Sequence, residues 1–193
     1  MLWIIIGVLM VGTLIIYISG RKNRRAAYSA QLPADQDTIQ KGDNIYEEMR
    51  NLAFTTNPAQ LGLSLPTGNI VYGVVMDWAL KEGIATVAAF STGDVSLYLS
   101  SGGGSIGGGQ QAMVAQAGKA FVSLAQDYLD KTSKTEATPL PAKNCVRFYL
   151  LTNQGIFTAH ENANNFKNGS SIWLPLFEEG NKVISALRMV ETR

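Results

Sequence analysis

One cysteine and one histidine in 193 residues remove whole classes of chemistry. Cys145 alone can close no intramolecular disulfide, and no multi-cysteine zinc site can be assembled around it. It stands at the head of the apolar run Cys145 to Leu151 and reads as a small buried hydrophobe. His160-Glu161 opens like the zinc-protease motif H-E-x-x-H, but the fifth position is Asn164, so the ligand count fails. His160 then reads as a strand-end surface residue. No metal site is expected and no cofactor is implied. Gly-Lys-Ser/Thr is missing, which excludes a Walker A loop. The carboxylates Asp77 and Glu82 flank a turn and read as solvated surface, while Glu178 and Glu179 suit the first turn of a helix through its dipole. With no nucleophile, base and orienting group in view, no catalytic residue is assigned and the chain reads as non-enzymatic.

Charge is absent from the first twenty residues, MLWIIIGVLMVGTLIIYISG, and the cluster RKNRR follows at once. At about 1.5 Å per residue such a stretch is just long enough for a hydrocarbon core of about 30 Å. Trp3 and Tyr17 stand near its ends, where amphipathic rings favour the headgroup region. The basic residues follow the apolar stretch instead of preceding it, which predicts an uncleaved signal anchor rather than a cleaved signal. Residues 1–20 are therefore expected to be a single-pass transmembrane helix. Arg21, Lys22, Arg24 and Arg25 are expected at the membrane surface, with the N-terminus outside and the C-terminal domain cytoplasmic. Residues 21–41 read as basic collar and linker, polar and small, with Pro33.

The remaining residues, 42–193, suffice for one globular domain. All fifteen carboxylates lie beyond residue 34 and twelve of the sixteen Lys and Arg beyond residue 25, which leaves residues 26–193 at −3. Such a balance lacks the basic face of a nucleic-acid binder, and no nucleic-acid partner is expected.

Periodicity predicts the elements. A helix begins near Asp43 with Ile45, Met49 and Leu52 on one face. Asn69 to Trp78, Ile84 to Phe90 and Val95 to Leu99 read as strands joined too tightly for crossovers, and so as an antiparallel meander. A helix carries Val114, Ala117, Phe121, Leu124 and Tyr128 at spacings of three and four. Thr132 to Lys143 reads as a surface loop. Val146 to Leu151 and Ile156 to Ala159 form a hairpin through Asn153-Gln154-Gly155. A last helix from Pro175 aligns Val183, Leu187 and Val190. The expected domain is α+β, a five-stranded antiparallel sheet in the order α-β-β-β-α-β-β-α with helices packed on it. In element order and size this resembles the profilin-like class, which includes roadblock and longin modules, although a roadblock chain places two strands before its central helix and three after. The resemblance implies a fold and transfers no functional residue.

One loop stands out, SSGGGSIGGGQQ over residues 100–111. Gly102, Gly104 and Gly107 satisfy G-x-G-x-x-G between a strand and a helix, and with Gly103 and Ser105 they could bring backbone amides to an anion or nucleotide. The βαβ unit that the dinucleotide fingerprint requires is lacking. A tightly turning connection and a partner-docking loop are the competing readings. Two functions are accordingly expected: a membrane-tethered cytoplasmic interaction or regulatory domain with a protein partner or a second copy of itself, or a sensor holding a small anionic ligand at residues 101–110.

Overall fold

The computed structural model describes residues 43–191. Helix α1 (Asp43–Thr55) precedes strands β1 (Val71–Leu80), β2 (Gly83–Phe90), β3 (Val95–Leu99) and β4 (Gly104–Ile106). A 3₁₀ turn (Gly108–Gln110) leads into α2 (Ala112–Gln126), followed by a second 3₁₀ turn (Leu129–Lys131) and β5 (Ser133–Thr135). Strands β6 (Cys145–Thr152) and β7 (Gly155–Asn162), the short α3 (Ala163–Lys167) and the long α4 (Leu174–Glu191) complete the chain.

The seven strands make one antiparallel sheet, ordered β4-β3-β2-β1-β6-β7-β5. The expected five-stranded sheet is thus corrected to seven, and the resemblance built on five strands falls with it. Neither added strand carries a strand signal of its own. Gly104-Ser105-Ile106 and Ser133-Lys134-Thr135 are short and poor in β-formers, and they are strands because β3 and β7 offer them open edges. The expected order also lacked α3, which forms where Asn162 caps the helix by accepting from the Asn164 amide at 2.9 Å.

β1 is central and buried on both faces, which accounts for its nearly unbroken apolar sequence. Its Val74, Met76 and Trp78 meet α2 and α4, with Phe121, Leu176, Val183 and Leu187 filling that layer. Its Tyr72 and Val75 face the other way, toward α1, with Ala88, Phe90, Tyr98, Tyr149 and Leu151. The stripes expected on α2 and α4 meet the sheet, whereas of the face expected on α1 only Met49 packs against the core. Ile45 and Leu52 are exposed, and Tyr46, Arg50 and Ala53 are buried instead.

The single-pass membrane location, with its anchor and cytoplasmic orientation, is also corrected. No helix among the described residues is long and apolar enough to cross a membrane, and that placement finds no support in the structure. Residues 1–20 and the basic cluster Arg21, Lys22, Arg24 and Arg25 lie outside the described residues.

Candidate functional site

α1 sits one residue further round than its apolar spacing predicts because a carboxylate lies beneath it. Asp77, in the centre of β1, is wholly buried. Its Oδ2 accepts from Arg50 Nη2 at 2.6 Å and from Nε at 3.0 Å, and its Oδ1 accepts from the Thr86 hydroxyl at 2.6 Å. Since the one hydroxyl proton of Thr86 is spent on Asp77, the 2.8 Å contact between Thr86 and Tyr46 has the phenol as donor. The Arg50 guanidinium also lies 4.8 Å from the Phe54 ring centre and 5.7 Å from that of Tyr149. Burial alone would lower the Arg50 pKa, but Asp77 outweighs it and holds the group above its ordinary value. Burial pushes the phenols of Tyr46 and Tyr149 upward, so both stay neutral near pH 7.

Each oxygen of Asp77 is occupied and each partner comes from a different element, so the cluster fastens α1 to the sheet. It leaves no free base aimed at an open cavity, which a catalytic acid or base would need. Arg147 stands opposite Asp77 in the register of β6, yet the carboxylate pairs with Arg50, and Arg147 Nε is buried without a hydrogen-bond partner.

Turning Tyr46 and Arg50 inward turns Ile45 outward. Between the first turns of α1 and the β3–β4 hairpin runs an apolar groove of about 400 Å³, walled by Ile45, Tyr46 and Met49 on one side and by Tyr98, Gly104 and Ile106 on the other. Ile45 is 58% exposed and Ile106 59%. The glycine-rich loop is the far wall of this groove. Gly102 and Gly103 form the hairpin tip, with φ of 100° and 84° and open space around them. Gly104 is fixed by close approach, because a Cβ there would meet the Leu97 carbonyl oxygen at 2.2 Å and its φ is 149°. Ser105 pairs with Leu97 inside β4, and Gly107, at φ 76°, begins the 3₁₀ turn.

The five loop residues singled out in the sequence are therefore not gathered at the start of α2. Gly102 to Ser105 belong to a hairpin, and the amide of Gly102 is already given to the Leu99 carbonyl at 2.9 Å. The groove beside them has no cationic side chain in its lining. Cys145 opens β6, partly buried, and pairs in register with Asn162; His160 is exposed on β7, opposite Arg147. Arg50 and Thr86 escaped the sequence reading, and Asp77, expected there as solvated surface, is wholly buried in β1. The available signal was a lone aspartate in an otherwise apolar strand, which demands a buried partner. No protein-family model, curated protein or solved structure matches this chain.

Proposed function

We propose that this chain is a non-enzymatic interaction domain that takes an extended apolar segment of a protein partner as an added strand on β4. The observation that carries this reading is the contrast between the two edges of the sheet. The β5 edge is guarded in the usual manner, by a lysine, Lys134, within three polar residues. The β4 edge carries no charge, exposes Ile106 and borders the apolar groove.

Backbone geometry fits strand addition. The Leu99 amide donates to the Gly103 carbonyl at 3.1 Å, so by alternation Leu97 and Ser105 also bond inward. The amides and carbonyls of Gly104 and Ile106 then point away from β3, where no further strand lies among the described residues. An incoming strand would satisfy them, and its alternate side chains would enter the groove beside Ile45 and Met49.

Selection of random peptides displayed on phage against the full-length protein tests this. The expected winners alternate apolar and polar residues, and Ile106→Lys should weaken their binding at least about tenfold by placing a charge on the edge. Absence of enrichment, or winners indifferent to Ile106→Lys, would refute the proposal. Sedimentation showing a dimer that Ile106→Lys dissolves would replace the partner by a second copy of this chain.

A further inference from the structure

A second cleft lies away from the groove, at the end of the sheet where β1 stops and β6 starts. It measures about 420 Å³ and is lined by Trp78, Leu80, Lys81, Lys143, Asn144 and Lys167, with Ala79 and Ala163. Its three lysines come from three separate segments: the β1–β2 turn, the turn into β6 and the last residue of α3. No carboxylate lines the cleft, and among the described residues none of the three lysines has an ion pair or a side-chain hydrogen bond.

Like charges brought together by the fold repel one another and gain nothing from the fold in return. Of the other described cations, Arg50 is paired with Asp77 and Lys182 with Glu179 at 2.5 Å, while Lys119, Lys131 and Lys134 have no ion pair but do not line this cleft. The floor of the cleft is also built with care. Asn144 has the one positive φ, 58°, among described non-glycine residues, and its Nδ2 donates to Asn162 Oδ1 at 3.1 Å while its carbonyl accepts from the Ala163 amide at 2.8 Å. These bonds hold the Lys143 turn against α3, and so hold Lys143 and Lys167 on a common wall. Trp78 and the exposed Leu80 supply the apolar remainder.

We infer that this cleft binds a phosphate-bearing ligand, its phosphate held by Lys81, Lys143 and Lys167 and its carbon part lying against Trp78 and Leu80. Phosphate satisfies several ammonium groups at once, which a single carboxylate does less well, and an ammonium serves as a point charge that needs no fixed fork. This is a different place from the glycine-rich loop and a different partner class from the strand-adding segment. The two sites are therefore separable by mutation.

Amide chemical shifts of the ¹⁵N-labelled full-length protein, followed during titration with sodium pyrophosphate against a chloride control of equal ionic strength, provide the test. Saturable changes confined to residues 78–83, 142–145 and 163–168 are expected. Lys81→Gln, Lys143→Gln and Lys167→Gln should each weaken the affinity about fivefold, whereas Lys134→Gln should not. A second arm measures cosedimentation with phosphatidylcholine vesicles containing phosphatidylglycerol, comparing the wild type with the triple glutamine variant. Vesicle binding that falls in the triple variant assigns the phosphate to a lipid headgroup, and saturable pyrophosphate binding without it assigns the phosphate to a soluble compound. Shifts that do not saturate or that spread equally over Lys119, Lys131 and Lys134, together with unchanged vesicle binding in the triple variant, would overturn the inference. The substituted lysines are exposed, and an unaltered melting temperature of each variant secures the reading.

Discussion

Arg50→Ala is expected to lower the free energy of unfolding by about 3–5 kcal/mol, measured by chemical denaturation of the full-length protein. The loss comes less from the ion pair than from what it leaves behind. Asp77 would keep its hydrogen bond from Thr86 but stand as an uncompensated charge in a position with no exposure. Arg50 also covers the rings of Phe54 and Tyr149, and that packing would go with it. The double variant Arg50→Met with Asp77→Leu separates the two contributions. Removing both charges should recover most of the stability, since a buried pair and an apolar pair of similar volume are often close in energy. A single variant that loses less than about 1 kcal/mol would show that α1 is held by its apolar contacts alone.

The second large effect is expected at Gly104→Ala. The added methyl would meet the carbonyl oxygen of Leu97, a backbone atom that cannot swing aside, and φ of 149° is one that side chains rarely adopt. The strain can be relieved only by parting β4 from β3. Hydrogen exchange should therefore show lost protection along the β3–β4 ladder, and peptides selected against the wild type should bind at least about tenfold more weakly. Gly102→Ala is the comparison, because nothing lies within 4 Å of a Cβ there and only the positive φ opposes it. Full retention of the ladder in Gly104→Ala would mean that β4 tolerates a shift the structure does not show, and the groove would lose its fixed wall.

Much of the scaffold was legible because it rests on repetition. Val114, Phe121 and Leu124 on α2, Val183 and Leu187 on α4, and the apolar runs of β1, β2, β3 and β6 each display a period that burial demands. What escaped was of three kinds. β4 and β5 are strands by virtue of neighbours, and three residues each are too few to carry a period. α1 carried two stripes with the same spacing of four and three; Ile45, Met49 and Leu52 is the more apolar, yet the stripe of Tyr46, Arg50 and Ala53 faces the sheet because it brings Arg50 to Asp77. The lysine cleft is assembled from residues in three distant segments, a convergence no local pattern records. The glycine-rich loop was visible as an oddity, but glycine composition alone could not distinguish an anion cradle from a hairpin tip whose close approach to Leu97 requires it.

The register of the sheet also bears on how the chain reaches its fold. Within the sheet, β1 to β4 are joined by short turns, and so are β6 and β7. The two groups meet along one line, β1 against β6, from Val71 opposite Thr152 to Trp78 opposite Val146. Every contact on that line spans the segment that contains α2. Closing it costs chain entropy before any pairing rewards it, by an amount that grows only as the logarithm of the loop length. Helix α2 lies inside that loop and packs on β1 and β2, so forming it early shortens the distance left to search. The seam between β1 and β6 is thus the place where two locally connected groups of strands join, and mutations along it should slow refolding more than mutations at either sheet edge.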